Sequence, residues 1–148
     1  MGVMTARNLF RLAILALSMA ALVLPVACSK REAAETPGLI SENLKLEEAF
    51  TLMEDNRHRQ DFTIIDLRSA AEYADGHIEE AVNLDYSSDD FIQELDALDR
   101  AKIYLIYSQT DAVSGRVKGV MAGLGFAEVY NMLGGIQRWR QTGLPLVR

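Results

Sequence analysis

Apolar positions fall in two regimes along this chain. From Leu12 to Ala27 every residue except Ser18 is apolar or proline, a block without polar relief. After residue 38 the apolar positions become periodic and are broken by polar turns. Leu46, Ala49, Phe50 and Met53 recur at spacings of three and four, with Glu47 and Glu48 ahead of them, which predicts an amphipathic helix with acids at its positive end. Phe62 to Ile65 reads as a short buried strand. Ser69 caps a short helix reaching Ala74, ended by Gly76. Ala81 to Leu84 is a second strand, and Phe91, Ile92, Leu95 and Leu98 form another helical stripe. Ile103 to Tyr107 is the most apolar run of this second regime and is expected to be the central strand. A helix from about Val113 to Leu124 follows, closed by Gly125. Glu128 to Asn131 is a further strand, and Gly134-Gly135 opens a last helix that passes Trp139 and ends near Gly143-Leu144-Pro145. Strands alternating with helices predict an α/β fold, a mostly parallel central sheet with helices on both faces. The working site then belongs at the carboxyl ends of the strands, in the loops after Ile65, Leu84 and Tyr107.

The first regime has a different explanation. Residues 1–28 carry Arg7 and Arg11 and no acid, so a positive segment precedes the apolar block. The block is 16 residues long and contains Pro25, short of the roughly 18 or more that a spanning helix needs. An export signal is the better reading. It ends on Cys28, the single cysteine of the chain. Ala27-Cys28-Ser29 resembles the cleavage and lipidation site of a bacterial lipoprotein, although Pro25 occupies a position where an aliphatic residue is usual. The alternative is ordinary signal cleavage beside an incidental cysteine. Residues 29–38 are polar and aperiodic and read as a tether, spanning at most about 35 Å extended and roughly 17 Å as a coil. Residues 39–148 then form the folded domain.

Charge and composition narrow the function. Removing the signal takes two of 15 basic residues and none of the 21 acidic ones, so thirteen bases face 21 acids, a net of −8. Nucleic acid is a poor partner for such a domain, because phosphate contacts need Lys and Arg. An anionic lipid surface is equally unfavourable, so membrane attachment is expected through the anchor at Cys28 rather than a basic face. One cysteine rules out an intrachain disulfide, and with His58 and His77 the only histidines, no metal site and no cofactor are expected.

The motifs are more specific. Ile64-Ile65-Asp66-Leu67-Arg68, Glu72-Tyr73, Gly76-His77-Ile78 and Ala81-Val82-Asn83 come first; Gly125-Phe126, Val129-Tyr130, Leu133-Gly134-Gly135-Ile136, Trp139 and Gly143-Leu144-Pro145 follow. In this order and spacing they resemble the two signatures of rhodanese-like domains, over about residues 43–147. On the residues alone, Asp66 and Arg68 end a buried strand and are expected in an ion pair or a backbone cap, with Glu72 as a partner. His77 is expected to be structural rather than a base. Gly134-Gly135 permits a tight strand-to-helix turn, and Trp139 packs the last helix on the sheet.

The resemblance implies a sulfurtransferase whose central strand runs into a loop starting with cysteine. Backbone N–H groups there stabilise a thiolate and then a persulfide. This chain instead reads Ser108-Gln109-Thr110-Asp111-Ala112-Val113-Ser114. By the resemblance, Ser108 falls at the cysteine position, Asp111 where glycine is common, and Val113 where active members often carry arginine; Arg116, one turn on, is a candidate for a partial substitute. A serine hydroxyl forms no persulfide but can be a nucleophile if a base activates it. Three functions follow as expectations. The first is a non-enzymatic module of the cell envelope that binds a protein or small anion through Ser108–Ser114. The second is an enzyme using Ser108 or Asp111 on a phosphoester or similar anion. The third is non-covalent handling of a sulfur oxyanion. Ser29 after the anchor suits the outer membrane.

Overall fold

The structure is a computed structural model that describes residues 39–148. The expected signal and tether, with Cys28, lie outside the described residues. Five strands and five helices alternate: β1 (Ile40–Leu44), α1 (Leu46–Asp55), β2 (Phe62–Asp66), α2 (Ala70–Asp75), β3 (Ala81–Asn83), α3 (Phe91–Asp96), β4 (Ile103–Tyr107), α4 (Asp111–Gly123), β5 (Glu128–Met132) and α5 (Gly135–Gln141). The strands form one sheet in the order β1-β5-β4-β2-β3, every pairing parallel. The α/β architecture expected from the alternation is therefore present, with β4 in the middle.

Side-chain alternation along β4 builds two cores. Leu105 and Tyr107 face one side and pack with Leu46, Ala49 and Met53 of α1 and Ile136 and Trp139 of α5. Tyr104 and Ile106 face the other side and pack with Phe91 and Leu95 of α3 and Val117 and Met121 of α4. Burying each such side chain contributes about 1.5–3 kcal/mol, so the sheet is held from both faces and its carboxyl edge is a rigid platform.

Differences from the sequence reading have local causes. β1 has no counterpart in the predicted elements. Four of its five residues are exposed, so no hydrophobic alternation marks it. It is an edge strand held by its ladder to β5 and by Asn43, whose Oδ1 accepts from Asn131 Nδ2 at 3.1 Å and Lys118 Nζ at 2.9 Å. α3 is shorter than its stripe. Ile92 is 65 % exposed, and Leu98 lies beyond the helix, only partly buried against the core. α4 starts two residues earlier than expected, at Asp111, which suits an acid in a first turn. α2 matches its signals: Ser69 Oγ accepts from Glu72 N, and Glu72 Oε2 accepts from Ser69 N at 3.1 Å.

Candidate functional site

β4 ends on Tyr107, and Ser108 turns the chain into α4 within three residues. The turn is clamped from outside by α5. Ile136 N donates to Ser108 O at 3.0 Å and Gln137 N to Gln109 O at 3.3 Å. That approach needs Gly135, since a Cβ there would overlap the Ser108 carbonyl oxygen. The Gly134-Gly135 pair thus does more than make a tight turn; it lets a helix end rest directly on the loop backbone.

Ser108 is buried, and its hydroxyl donates to the Thr110 carbonyl at 2.5 Å. The same carbonyl accepts from Ser114 Oγ at 3.3 Å. A carbonyl oxygen is not a base, so this contact orients the Ser108 hydroxyl without activating it. His77, the candidate base, is elsewhere. Its Nδ1 lies 3.0 Å from Tyr73 O, its ring stacks on Tyr73 at 3.7 Å, and its backbone pairs with Val147. These contacts hold His77 between α2 and the last residues of the chain.

A cleft of about 210 Å³ opens beside Ser108. From the loop it is lined by Ser108, Gln109, Thr110 and Val113, and from the facing side by Arg68, Ser69, Glu72, Asp85, Tyr86 and Ser87, with Leu67 between. Three loop residues singled out from the sequence do not line it. Asp111 is turned to α5, where Oδ1 accepts from Gly134 N at 2.5 Å. Its charge caps that turn instead of occupying the cleft. Ala112 is exposed on the outside of α4, and Ser114 is buried beneath the loop. Arg116 does not substitute for the missing cation, because it lines a neighbouring groove with Ile92 and Val120.

Arg68 reaches the cleft but is already committed. Its guanidinium is 2 % exposed and grips both carboxylate oxygens of Asp66, with Nη2 also donating to Gly76 O at 2.8 Å. Burial alone would lower the Arg68 pKa, but the hydrogen bond and charge of Asp66 outweigh it and raise it. Glu72, the partner expected for Arg68, bonds Ser69 instead. Beneath this pair the Tyr107 phenol oxygen accepts from Ile78 N at 3.2 Å, and burial followed by the Asp66 charge pushes its pKa well up, so it stays neutral.

The remaining charges of the cleft are negative. Hydrogen bonds from Ser69 hold Glu72 below the ordinary carboxylate range, and bonds from Ser87 do the same for Asp85. Both pKa values are depressed on folding, so each carboxylate contributes stability at neutral pH that is lost as the pH falls below about 4 and through the folded values. Glu72→Gln and Asp85→Asn are each expected to flatten the acid limb of a urea-midpoint profile by a few tenths of a kcal/mol, since both groups are near the surface. An unchanged limb would show that these caps carry no net stability.

Asp85, Tyr86 and Ser87 also line the cleft. The sequence points to the loop after Leu84, because it follows a strand; which of its side chains face the cleft depends on where α2 sits, and no periodicity shows that. Among the described residues no group of three His, Cys, Asp or Glu side chains is placed to hold a metal ion, and no helix is long and apolar enough to cross a membrane.

Comparison with known proteins agrees with this architecture. The rhodanese-like domain family matches residues 47–142. The thiosulfate sulfurtransferase GlpE of Pseudomonas syringae pv. syringae is 33 % identical over 84 residues, covering 56 % of this chain and 76 % of that protein. GlpE of Ectopseudomonas mendocina is 38 % identical over 80 residues, 53 % of this chain and 71 % of that protein. In the crystal structure of a rhodanese-related protein from Thermoplasma volcanium the fold superposes with a TM-score of 0.59 at 23 % identity, over 72 % of this chain and 97 % of that one. The Alr3790 protein of Anabaena sp. gives a TM-score of 0.57 at 25 % identity, over 67 % and 79 %. With its parallel five-stranded sheet, its ordered signatures and these relatives, the chain belongs to the rhodanese-like domain family.

Proposed function

We propose that this rhodanese-like domain does not transfer sulfane sulfur and works as a binding module of the cell envelope, anchored through Cys28 and recognising its ligand at the Ser108 cleft. One observation carries the reading: the residue at the end of β4, where the family's chemistry starts, is Ser108, a hydroxyl bonded to a backbone carbonyl. Sulfur transfer needs a thiolate that becomes a persulfide, and a serine oxygen cannot take that role. The cleft's charges support it. Glu72 and Asp85 line the cleft while Arg68 is neutralised by Asp66, so an anionic donor such as thiosulfate meets repulsion. The same charges argue against a sulfur oxyanion as ligand, and the lack of a base on Ser108 Oγ argues against a serine hydrolase.

The test is a thiosulfate–cyanide assay with intact mass measured after incubation with the donor. No thiocyanate and no added sulfur are expected; turnover or a gain of one sulfur atom overturns the proposal. Ser108→Cys is expected to give weak activity. Adding Val113→Arg should raise it about tenfold, equivalent to ~1.4 kcal/mol of barrier, because Val113 lines the cleft. Adding Asp111→Gly should contribute less, since that carboxylate faces Gly134. A folded triple variant without activity would mean that the loop lacks the anion-holding geometry altogether.

A further inference from the structure

A second cavity, of about 180 Å³, shares no residue with the Ser108 cleft. Its walls come from Phe50 and Met53 of α1, Ile64 of β2, Ile78 and Trp139, and the Leu144-Pro145 turn closes one end. Its size is that of a dry apolar cavity that takes benzene, about 150 Å³, but here Phe50 is 39 % exposed and the cavity opens to solvent. The Trp139 indole N–H is donated to Pro145 O at 2.9 Å, which leaves the ring to act as apolar and π surface. The Phe50 ring centroid lies 6.1 Å from it.

The mouth of this apolar chamber is charged. Glu54, Glu79 and Glu80 line it with one cation, Arg57. Arg57 is held by Glu54 at 2.6 Å and lies 3.9 Å from Glu79. Glu80 faces His58 at 3.2 Å, and both residues hold left-handed backbone, with φ of 64° and 66°. Non-glycine residues in that region are costly, and they concentrate at ligand clamps. The residues lining the mouth are three carboxylates to one guanidinium. Aromatic faces below and carboxylates above both favour positive charge.

We propose that this cavity binds a small hydrophobic cation, one ring-sized apolar group bearing an ammonium, with the ring against Trp139 and the ammonium between Glu79 and Glu80. The proposal is independent of the Ser108 cleft and of whether sulfur is transferred there. Trp139 is the single tryptophan of the chain, so intrinsic fluorescence reports occupancy directly. The full chain is titrated with benzylammonium, benzyl alcohol and benzoate, which share a ring and differ in charge. Benzylammonium is expected to give a saturable change about fivefold tighter than benzyl alcohol, the scale of one charge pair ~4 Å apart in a wet mouth, and benzoate none. The double variant Glu79→Gln, Glu80→Gln should abolish the preference while leaving benzyl alcohol affinity unchanged, an outcome that a loss of folding would not produce. Leu144→Phe, which fills the chamber, should weaken all binding. A flat response to benzylammonium, binding of benzoate as tight as that of benzylammonium, or a preference surviving in the double variant would each overturn the proposal.

Discussion

Arg68→Met is expected to cost about 3–5 kcal/mol of stability, the range for breaking a buried ion pair by removing one partner. That is a large part of the roughly 5–15 kcal/mol that holds an ordinary domain together. The loss is not the Coulomb energy of the pair. It is the cost of leaving Asp66, which has no exposed surface, with its charge uncompensated, and of orphaning the Gly76 carbonyl that Arg68 also satisfies. Two measurements separate this cause from a simple loss of packing. The first is the size of the loss, which exceeds what trimming a buried side chain of similar volume would cost. Adding Asp66→Asn to Arg68→Met should recover part of the loss, because the stranded charge is gone. Urea denaturation checks both; a deficit under about 1 kcal/mol, or a double variant no more stable than Arg68→Met, would mean that the pair is not the keystone of the β2 end.

Gly135→Ala is the second large effect. Two separate costs coincide at this position. The backbone has φ of +54°, where a Cβ is strained by about 1–2 kcal/mol. The Cβ would also overlap the Ser108 carbonyl oxygen and come within 2.9 Å of the Gln109 carbonyl group. Backbone atoms cannot step aside as a flexible side chain can, so α5 must retreat and the Ile136–Ser108 and Gln137–Gln109 bonds are lost. Gly143→Ala is the matched control. Its φ is +73° but nothing lies within 4 Å of a Cβ there, so it carries the conformational strain alone. Gly135→Ala should therefore be destabilising by at least about 2 kcal/mol more than Gly143→Ala, on the scale of two hydrogen bonds, and only Gly135→Ala should change ligand binding at the Ser108 cleft. Equal losses would show that the helix end does not brace the loop.

Both effects concern the same design. The loop that carries Ser108 is short, and its shape is imposed from two sides: by Tyr107 and the Asp66–Arg68 pair below, and by the α5 N-terminus beside it. That frame fixes Ser108 and the loop around it from both sides. A rigid cleft with fixed carboxylates is suited to recognition, which is why the proposed function rests on binding rather than on residual chemistry.

Much of this was legible along the chain. The apolar runs at Phe62–Ile65 and Ile103–Tyr107 are buried on both sides and announce parallel strands, because a strand covered by helices on both faces has no polar alternation. Ser69 with Glu72 announces a helix start through hydrogen bonds closed within three residues. The spacing from the central strand to Ser114 and Gly125-Phe126 locates Ser108 at the loop. These are local signals, and local spacing carries them. Other features join residues remote in sequence. β1 is specified by a ladder to β5, almost ninety residues away, and its exposed side chains leave no trace of it. Asp111 answers to Gly134, and the Asp85–Ser87 segment faces Ser108 only because α2 and β3 bring it there. Hydrophobic period determines which way a side chain points from its own backbone. What it meets there is decided by the packing of other elements, so the chain announced four of its five strands and its serine, and only the folded sheet decided which charges surround that serine.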